Sequence, residues 1–183
     1  MLIPLGILAA SGGGAPLGPI AYELISTTVL GSDTGSVTFS NLGNFSSTYR
    51  HLQIRYSGKS AGSQEFRLVF NGVGSGYARH GFRGSASSVT SYGNANLGQI
   101  LFDGGLADTA SSWFGAGLID ILDAYSTNKN KTVRQYGGEV AGSNQVFMHS
   151  GFLNSTSAIG SITISSGANL TTNSRFSLYG IRG

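Results

Sequence analysis

Short runs of alternating apolar and polar residues recur along the chain from Tyr22 onward. In the run at 51–57, for example, Leu52, Ile54 and Tyr56 share one face, and polar residues occupy the other. A period of two is typical of a strand with one buried side, because successive side chains point to opposite faces. Gly, Asn, Asp and Ser separate the runs. The pattern predicts eleven strands, near Tyr22–Val29, Ser36–Ser40, His51–Ser57, Glu65–Asn71, Tyr77–Arg83, Gly98–Phe102, Trp113–Leu122, Thr132–Glu139, Val146–Leu153, Ser161–Ser165 and Ser174–Ile181.

This spacing of strands predicts an all-β fold, specifically an antiparallel jelly-roll-like β-sandwich. No stretch of twelve residues carries the apolar period of a helix with caps. We expect residues 21–183 to form a single β-sandwich domain. Two segments poor in apolar residues, Gly84–Asn96 and Asp123–Lys131, are predicted to be exposed loops. Binding groups often lie on such loops at the ends of a sandwich.

The first twenty residues differ from the rest of the chain. Residues 1–20 are predicted to be an extended apolar arm followed by a Gly-rich linker. Ten apolar residues are too few to span a bilayer, which takes about 20, so no membrane span is expected. No Lys or Arg precedes the apolar run, although a secretory signal remains an alternative because residues 9–11 resemble a cleavage site. We interpret the run as an anchor to the neighbouring subunit or to a larger particle, through Leu2, Ile3, Leu5, Ile7 and Leu8.

The composition favours a protein that works within an assembly. Of 183 residues, 11 are Lys or Arg and 8 are Asp or Glu, so charged residues make up only 10%, against about 25% in typical domains. Such weak surface repulsion suits a packed oligomer. The net charge of +3 is scattered along the chain, and without a basic stripe nucleic-acid binding is not expected. The absence of Cys excludes disulfides, thiolate metal sites and a Cys nucleophile.

Residues that carry catalytic or metal chemistry form no convincing constellation. His51, His80 and His149 lack metal-ligand spacing and are interpreted as hydrogen-bonded or solvent-facing strand residues, although they could still converge in space. Asp120 and Asp123 lie an odd number of positions apart, so a regular strand would point them to opposite faces. A calcium site there remains an alternative to hydrogen bonding in a turn. We therefore predict no catalytic residue, no metal ligand and no cofactor, and expect the protein not to be an enzyme.

Aromatic side chains offer one binding hypothesis. Six of these side chains could together form a platform on which sugar rings stack. Trp113 and Phe114 are, however, more readily explained as core or subunit-interface residues. Tyr92 and Tyr125 fall in the two predicted loops and are candidate ligand-facing residues. The six are Tyr77, Phe82, Tyr92, Trp113, Phe114 and Tyr125.

Eight segments follow one another in a distinctive order along the chain: Leu5–Ala10, Tyr22–Thr28, Ser36–Ser40, Tyr49–Arg55, Phe70–Gly72, Gly115–Asp123, Ser126–Lys131 and Ser174–Arg182. Together they resemble a family of small structural proteins of tailed bacteriophages, notably aquatic and cyanobacterial phages. The resemblance runs over nearly the whole chain, and its most specific parts are the apolar start and the SRFSLYGIR ending.

The resemblance implies a component at the surface of the virion, either a tail-fibre or tail-tip protein that contacts the host or a capsid decoration (cement) protein. Together with the low charge and the arm, it leads us to expect a homo-oligomer, with a trimer favoured, that binds other phage virion proteins. A host surface glycan is a further candidate partner. A glycan-binding module or glycan hydrolase is the third alternative, although the Asp120 and Asp123 spacing does not supply a converging carboxylate pair.

Overall fold

The computed structural model describes residues 21–62, 65–108, 112–140 and 144–183. About 64% of these residues lie in strands, so the prediction of an all-β fold is confirmed. A short 3-10 turn, Leu42–Phe45, lies between the second and third strands. The predicted arm, residues 1–20, lies outside the described residues. The strands are β1 (Tyr22–Val29), β2 (Thr34–Phe39), β3 (His51–Ser60), β4 (Glu65–Phe70), β5 (Tyr77–Ser85), β6 (Ser88–Leu97), β7 (Ile100–Gly105), β8 (Ala107–Asp108), β9 (Gly115–Leu122), β10 (Lys131–Glu139), β11 (Gln145–Leu153), β12 (Ile162–Leu170) and β13 (Arg175–Ile181).

The strands form one curved, largely antiparallel sheet that nearly closes on itself. A long layer has the order β6-β5-β11-β10-β9-β3-β13-β1, and a shorter layer has the order β2-β12-β4-β7. The two layers join where Leu170 of β12 pairs with Ser60 of β3. On the opposite side, Arg79 of β5 donates a hydrogen bond of 2.8 Å to the carbonyl of Leu101 on β7. Only β8, which pairs with β3, runs parallel to its neighbour among the described pairs.

The core lies between the inward faces of the two layers. On β3, Leu52 and Ile54 are fully buried, and on β4 the inward residues include Phe66 and Leu68. Phe176 on β13 completes an aromatic contact with Phe66, their ring centroids 6.3 Å apart. These are the faces that the alternation predicted to be apolar. Burial of that surface, at about 25 cal/mol per Å², stabilises the two-layer arrangement.

All eleven predicted strands are present, but one predicted loop is wrong. Gly84–Asn96 covers the end of β5, the turn and most of β6, and the turn places Ala86 in the left-handed region at a φ of 51°. The strand β6 was missed because it is an edge strand whose side chains are mostly exposed, so it carries no apolar alternation. The two-residue β8 is too short to give a pattern.

The second predicted loop, Asp123–Lys131, does connect β9 to β10, but Lys131 is the first residue of β10 and is fully buried. The segment is therefore less exposed than its composition indicates. Among the described residues there is no helix with the length and apolar character needed to cross a membrane.

Candidate functional site

An open cavity of about 500 Å³ lies between two loops at one end of the sheet. One wall is the segment 46–50, which follows the 3-10 turn, and the other wall is the segment 123–129, which follows β9. We call this cavity the Arg50 pocket. Hydrogen bonds within the first wall fix its backbone, since the amides of Thr48 and Tyr49 both donate to the carbonyl of Phe45 at 3.0 Å.

A carboxylate with two cations stands in this pocket. Arg50 Nε and Lys129 Nζ each lie 2.7 Å from a different oxygen of Asp123. These hydrogen bonds, first that of Lys129 and then that of Arg50, lower the pKa of Asp123 to about 2. The Asp123 amide donates to Nδ1 of His51 at 2.8 Å, which orients the residue from the backbone side. Asp123 adopts a φ of 47°, a left-handed conformation that Asp tolerates better than most residues.

The second wall is held from beneath by a buried ammonium group. Lys131 Nζ donates to three carbonyls, those of Ser126, Lys129 and Thr156. An ammonium has three donors, so these three acceptors match its capacity. Burial lowers the pKa of Lys131, and the Asp123 charge opposes that effect. Lys131, the first residue of β10, thus fixes the loop between β9 and β10.

Two tyrosines form the base of the pocket. Tyr49 is buried, and its ring covers Gly180, where an added Cβ would lie 2.3 Å from the ring. Tyr125, one of the two candidate ligand-facing residues, lines the pocket and packs against the core. Its hydroxyl is buried without a hydrogen-bond partner among the described residues. Burial, and then the Tyr49 hydroxyl, raise the pKa of Tyr125 to about 12.

A second polar cluster lies inside the sheet and joins side chains from four strands, β6, β11, β10 and β3. Tyr92 Oη on β6 bonds Nε2 of His149 on β11. His149 Nδ1 lies 2.7 Å from Oε1 of Gln135 on β10. Gln135 Nε2 donates to Tyr56 Oη on β3 at 2.8 Å. Tyr92, the other candidate ligand-facing residue, is therefore half-buried and bonded inward.

The direction of the bonds assigns the histidine tautomer. Because the amide of Gln135 donates through Nε2, its oxygen accepts, and His149 Nδ1 must carry the proton. Nε2 then accepts from Tyr92. Burial, followed by the charges of Arg79 and Arg83, lowers the pKa of His149 to about 4. The cluster is a neutral, hydrogen-bonded part of the core, which is the interpretation that the sequence favoured for this histidine.

The outer face of the same strands is apolar and exposed. Phe82 of β5, Met148 of β11 and Tyr136 of β10 are cross-strand neighbours, with 46%, 42% and 36% of their surface exposed. Val146 extends the row along β11, whereas Phe152, which is also exposed, is separated from Met148 by Ser150 on the same face. We call these five residues the apolar face. A cluster of exposed apolar side chains such as Phe82, Met148, Tyr136 and Val146 is a candidate interaction surface.

The other residues singled out from the sequence do not converge. His51 bonds the Asp123 amide, His80 is exposed on β5, and His149 is buried in the core. Asp120 accepts from Gln53 at 2.7 Å and lies 3.4 Å from Arg134, on the outer side of β9, away from the bonds of Asp123. In the described part of the chain, no three His, Asp or Glu side chains are grouped so as to hold a metal ion.

The six aromatic residues form no single platform. Tyr77 is fully buried, where its hydroxyl accepts from the Phe70 amide. Phe82 and Tyr92 lie on opposite faces of the β5–β6 hairpin, since Phe82 is exposed outward and Tyr92 bonds a buried histidine. Trp113 is 64% exposed, so the core alternative is wrong for this residue, and its place at a subunit interface stays a prediction. The apolar pattern of 113–122 predicted a strand that starts at Trp113, but β9 begins only at Gly115, so Trp113 lies outside the strand.

Sequence reasoning missed Arg50, Lys129 and Lys131 as parts of a site. Their signal was the density of Lys and Asn at 128–131, next to the only local concentration of Asp. Arg50 lies 73 residues from Asp123, and no local pattern joins the two positions. The chain matches no protein-family model and no curated protein sequence.

Proposed function

We propose that this protein is a non-enzymatic structural component at the surface of a bacteriophage particle, an oligomer that assembles through the apolar face and residues 1–10. The observation that carries the proposal is the exposed cross-strand row of Phe82, Met148 and Tyr136. Burying such rings and thioethers supplies the main driving force of most protein association. The resemblance of the sequence to phage structural proteins supports the setting.

The occupant that fits the face is a second copy of this chain, through its residues 1–10. This segment is almost wholly apolar, so it matches the face in chemistry. Twenty residues precede Ala21, and an extended chain spans about 3.3 Å per residue, which is enough to reach a neighbouring subunit. With only 10% charged residues, the chain offers little repulsion to oppose such contact.

Three finer features belong to the same proposal. The two layers form a jelly-roll-like sandwich, residues 1–20 form an arm, and three copies make the oligomer. The proposed location on the particle is the tail fibre or tail tip, and the Arg50 pocket supports this choice because it offers a polar cavity to a host molecule. The alternative is a capsid decoration protein. Such a protein would bury its apolar surface between subunits and would bind no ligand.

Sedimentation of the purified protein tests the assembly step. Wild type is expected at the mass of three copies, and both Met148→Glu and deletion of residues 1–14 are expected at the mass of one. Val29→Glu is the matched control, since Val29 is an apolar residue on the far edge strand β1 and is 52% exposed, against 42% for Met148. Circular dichroism checks that each variant keeps its strands.

Incorporation into phage particles tests the biological step. Particles produced with the chain that lacks residues 1–14 should contain none of it, while wild-type protein and Val29→Glu should be incorporated. Normal incorporation of the truncated chain would contradict anchoring by this segment. A wild-type protein that sediments as a single copy at high concentration would contradict the oligomer.

A further inference from the structure

We propose that the Arg50 pocket binds a carboxylate-bearing sugar, such as a uronic acid unit of an acidic polysaccharide. This inference names the class of host molecule that the pocket would contact. It rests on the proposed function only in taking the sugar to come from the host surface. Its physical basis is the placement of two exposed cations, a polar rim and an aromatic base around one cavity.

The cations give the pocket its preference for an acid. Arg50 and Lys129 share a single carboxylate, that of Asp123, so these three side chains together carry one excess positive charge. Each of the two side chains is 58% exposed, whereas Asp123 is only 20% exposed. The positive groups therefore face solvent, and the carboxylate lies behind them. An incoming anion meets the cations first.

The geometry of Arg50 suits a carboxylate in particular. Arg50 bonds Asp123 through Nε, which uses one of the five N–H donors of the guanidinium. The donors on the two terminal nitrogens form the fork that recognises a carboxylate with two parallel hydrogen bonds. Asp123 thus orients the guanidinium without occupying that fork.

The remainder of the lining suits a sugar rather than a small inorganic anion. Gly183 lines the cavity beside the Arg50 side chain. The other lining residues include Ser46, Ser47, Thr48, Ser126 and Asn128, whose side chains carry hydroxyl and amide groups. Such groups donate and accept, as sugar hydroxyls do. The volume of about 500 Å³ lies within the range of small-molecule sites and is much larger than a phosphate or acetate ion needs.

The pocket is pre-organised, which favours affinity because little ordering is needed on binding. Its walls are joined by a backbone hydrogen bond of 3.0 Å from the Ala124 amide to the Arg50 carbonyl. Lys131 ties the 123–129 wall to the carbonyl of Thr156 in a third loop. The fold therefore fixes the backbone that carries Arg50 and Lys129, and Asp123 holds their side chains.

Isothermal titration of the whole chain with trigalacturonate tests the proposal. The expected result is saturable binding that Arg50→Gln and Lys129→Gln each weaken by about tenfold. Arg134→Gln is the matched control, because Arg134 is a similarly exposed arginine beside Asp120, outside the pocket, and it should bind as wild type does. Thermal unfolding of each variant shows whether its fold is intact.

Two comparison ligands complete the experiment. A neutral trisaccharide of galactose should bind at least about tenfold more weakly, and acetate or inorganic phosphate should not compete at equal concentration. Equal binding of the neutral sugar, effective competition by the small anions, absence of trigalacturonate binding, or unchanged binding in Arg50→Gln would each overturn the proposal. Particle incorporation of Arg50→Gln should be normal, so failure of sugar binding is distinguishable from failure of the assembly function.

Discussion

The ring of His149 on β11 occupies the space that a side chain at Gly81 on β5 would fill. The two residues are register partners in the antiparallel pair, and a Cβ built on Gly81 would lie 2.1 Å from Cδ2 of His149. Gly81 also pairs with Tyr92 on its other side. The missing side chain therefore creates the gap through which Tyr92 and His149 bond. The internal polar cluster depends on this glycine.

Gly81→Ala is expected to lower the free energy of unfolding by about 1–3 kcal/mol, the usual cost of overpacking a core. The new methyl would meet His149 and the Met148 carbonyl, the latter at 2.9 Å, and backbone cannot move aside easily. Gly84→Ala on the same strand is the control, since its nearest neighbour is a Val146 methyl at 3.6 Å. Urea unfolding of both variants measures the difference, and equal stability of the two would disprove the packing argument.

His149 makes stability depend on pH. Its pKa is lowered from 6.5 to about 4, so between those values the unfolded chain binds a proton that the folded chain does not. Stability therefore falls as pH drops from 6.5 to 4, by up to about 3 kcal/mol, and this loss is complete below pH 4. Asp123, with its pKa lowered to about 2, adds a separate loss below pH 4.

Urea unfolding of wild type and His149→Gln across pH 4–7 checks this assignment. The variant is expected to be less stable at pH 7, because the core loses a fitted ring, but its stability should change little between pH 6.5 and 4. His80→Gln is the control, since His80 is exposed and lies outside the internal cluster, and it should keep the wild-type slope. If the free energy of unfolding of His149→Gln changes with pH as steeply as that of wild type, a group other than His149 causes the pH dependence.

Replacement of the buried ammonium should loosen the β9–β10 loop. Lys131→Met keeps the apolar stem but removes the donor to three carbonyls, at an expected cost of about 1–3 kcal/mol for acceptors left unpaired. Hydrogen exchange of residues 123–131 should become faster. Lys129→Met, which removes an exposed ion pair, should cost less than about 1 kcal/mol. If the two variants behave alike, Lys131 does not organise the loop.

The base of the Arg50 pocket depends on Gly180 in the same way. A methyl there would fall 2.3 Å from the Tyr49 ring, so Gly180→Ala should displace that ring and weaken trigalacturonate binding by about tenfold. Gly43→Ala, with nothing within 4 Å of the added Cβ, is the matched control and should leave binding unchanged. Titration calorimetry of both variants gives the comparison, and full affinity in Gly180→Ala would show that the Tyr49 ring plays no part.

The strands that the sequence predicted well are those with one buried face. Leu52, Ile54 and Phe66 alternate with polar neighbours because each strand separates core from solvent. The edge strand β6 has no such contrast, since Ser88–Leu97 is largely exposed on both sides, so its composition is that of a loop. Its pairing with β5 comes from the backbone and the turn at Ala86 rather than from apolar burial.

The candidate site was less accessible to sequence reasoning because its parts are distant in the chain. Asp123 and Tyr125 stood out locally, but their partner Arg50 reaches them only through the pairing of β3 with β9. Lys131 looked like a surface charge, since its burial depends on three loop carbonyls that no pattern reveals. In the apolar face, Met148 and Phe82 are ordinary strand residues until the register of β11 and β5 places them side by side.

Immunogold electron microscopy of purified phage particles, with antibody against this chain, tests the central claim most directly. The account predicts label on the particle, concentrated on the tail or its fibres. Label confined to the head would contradict a role in host contact and would support the alternative, a capsid decoration protein. Particles that contain no label anywhere, in a preparation where the antibody recognises the purified chain, would contradict the assignment to the virion.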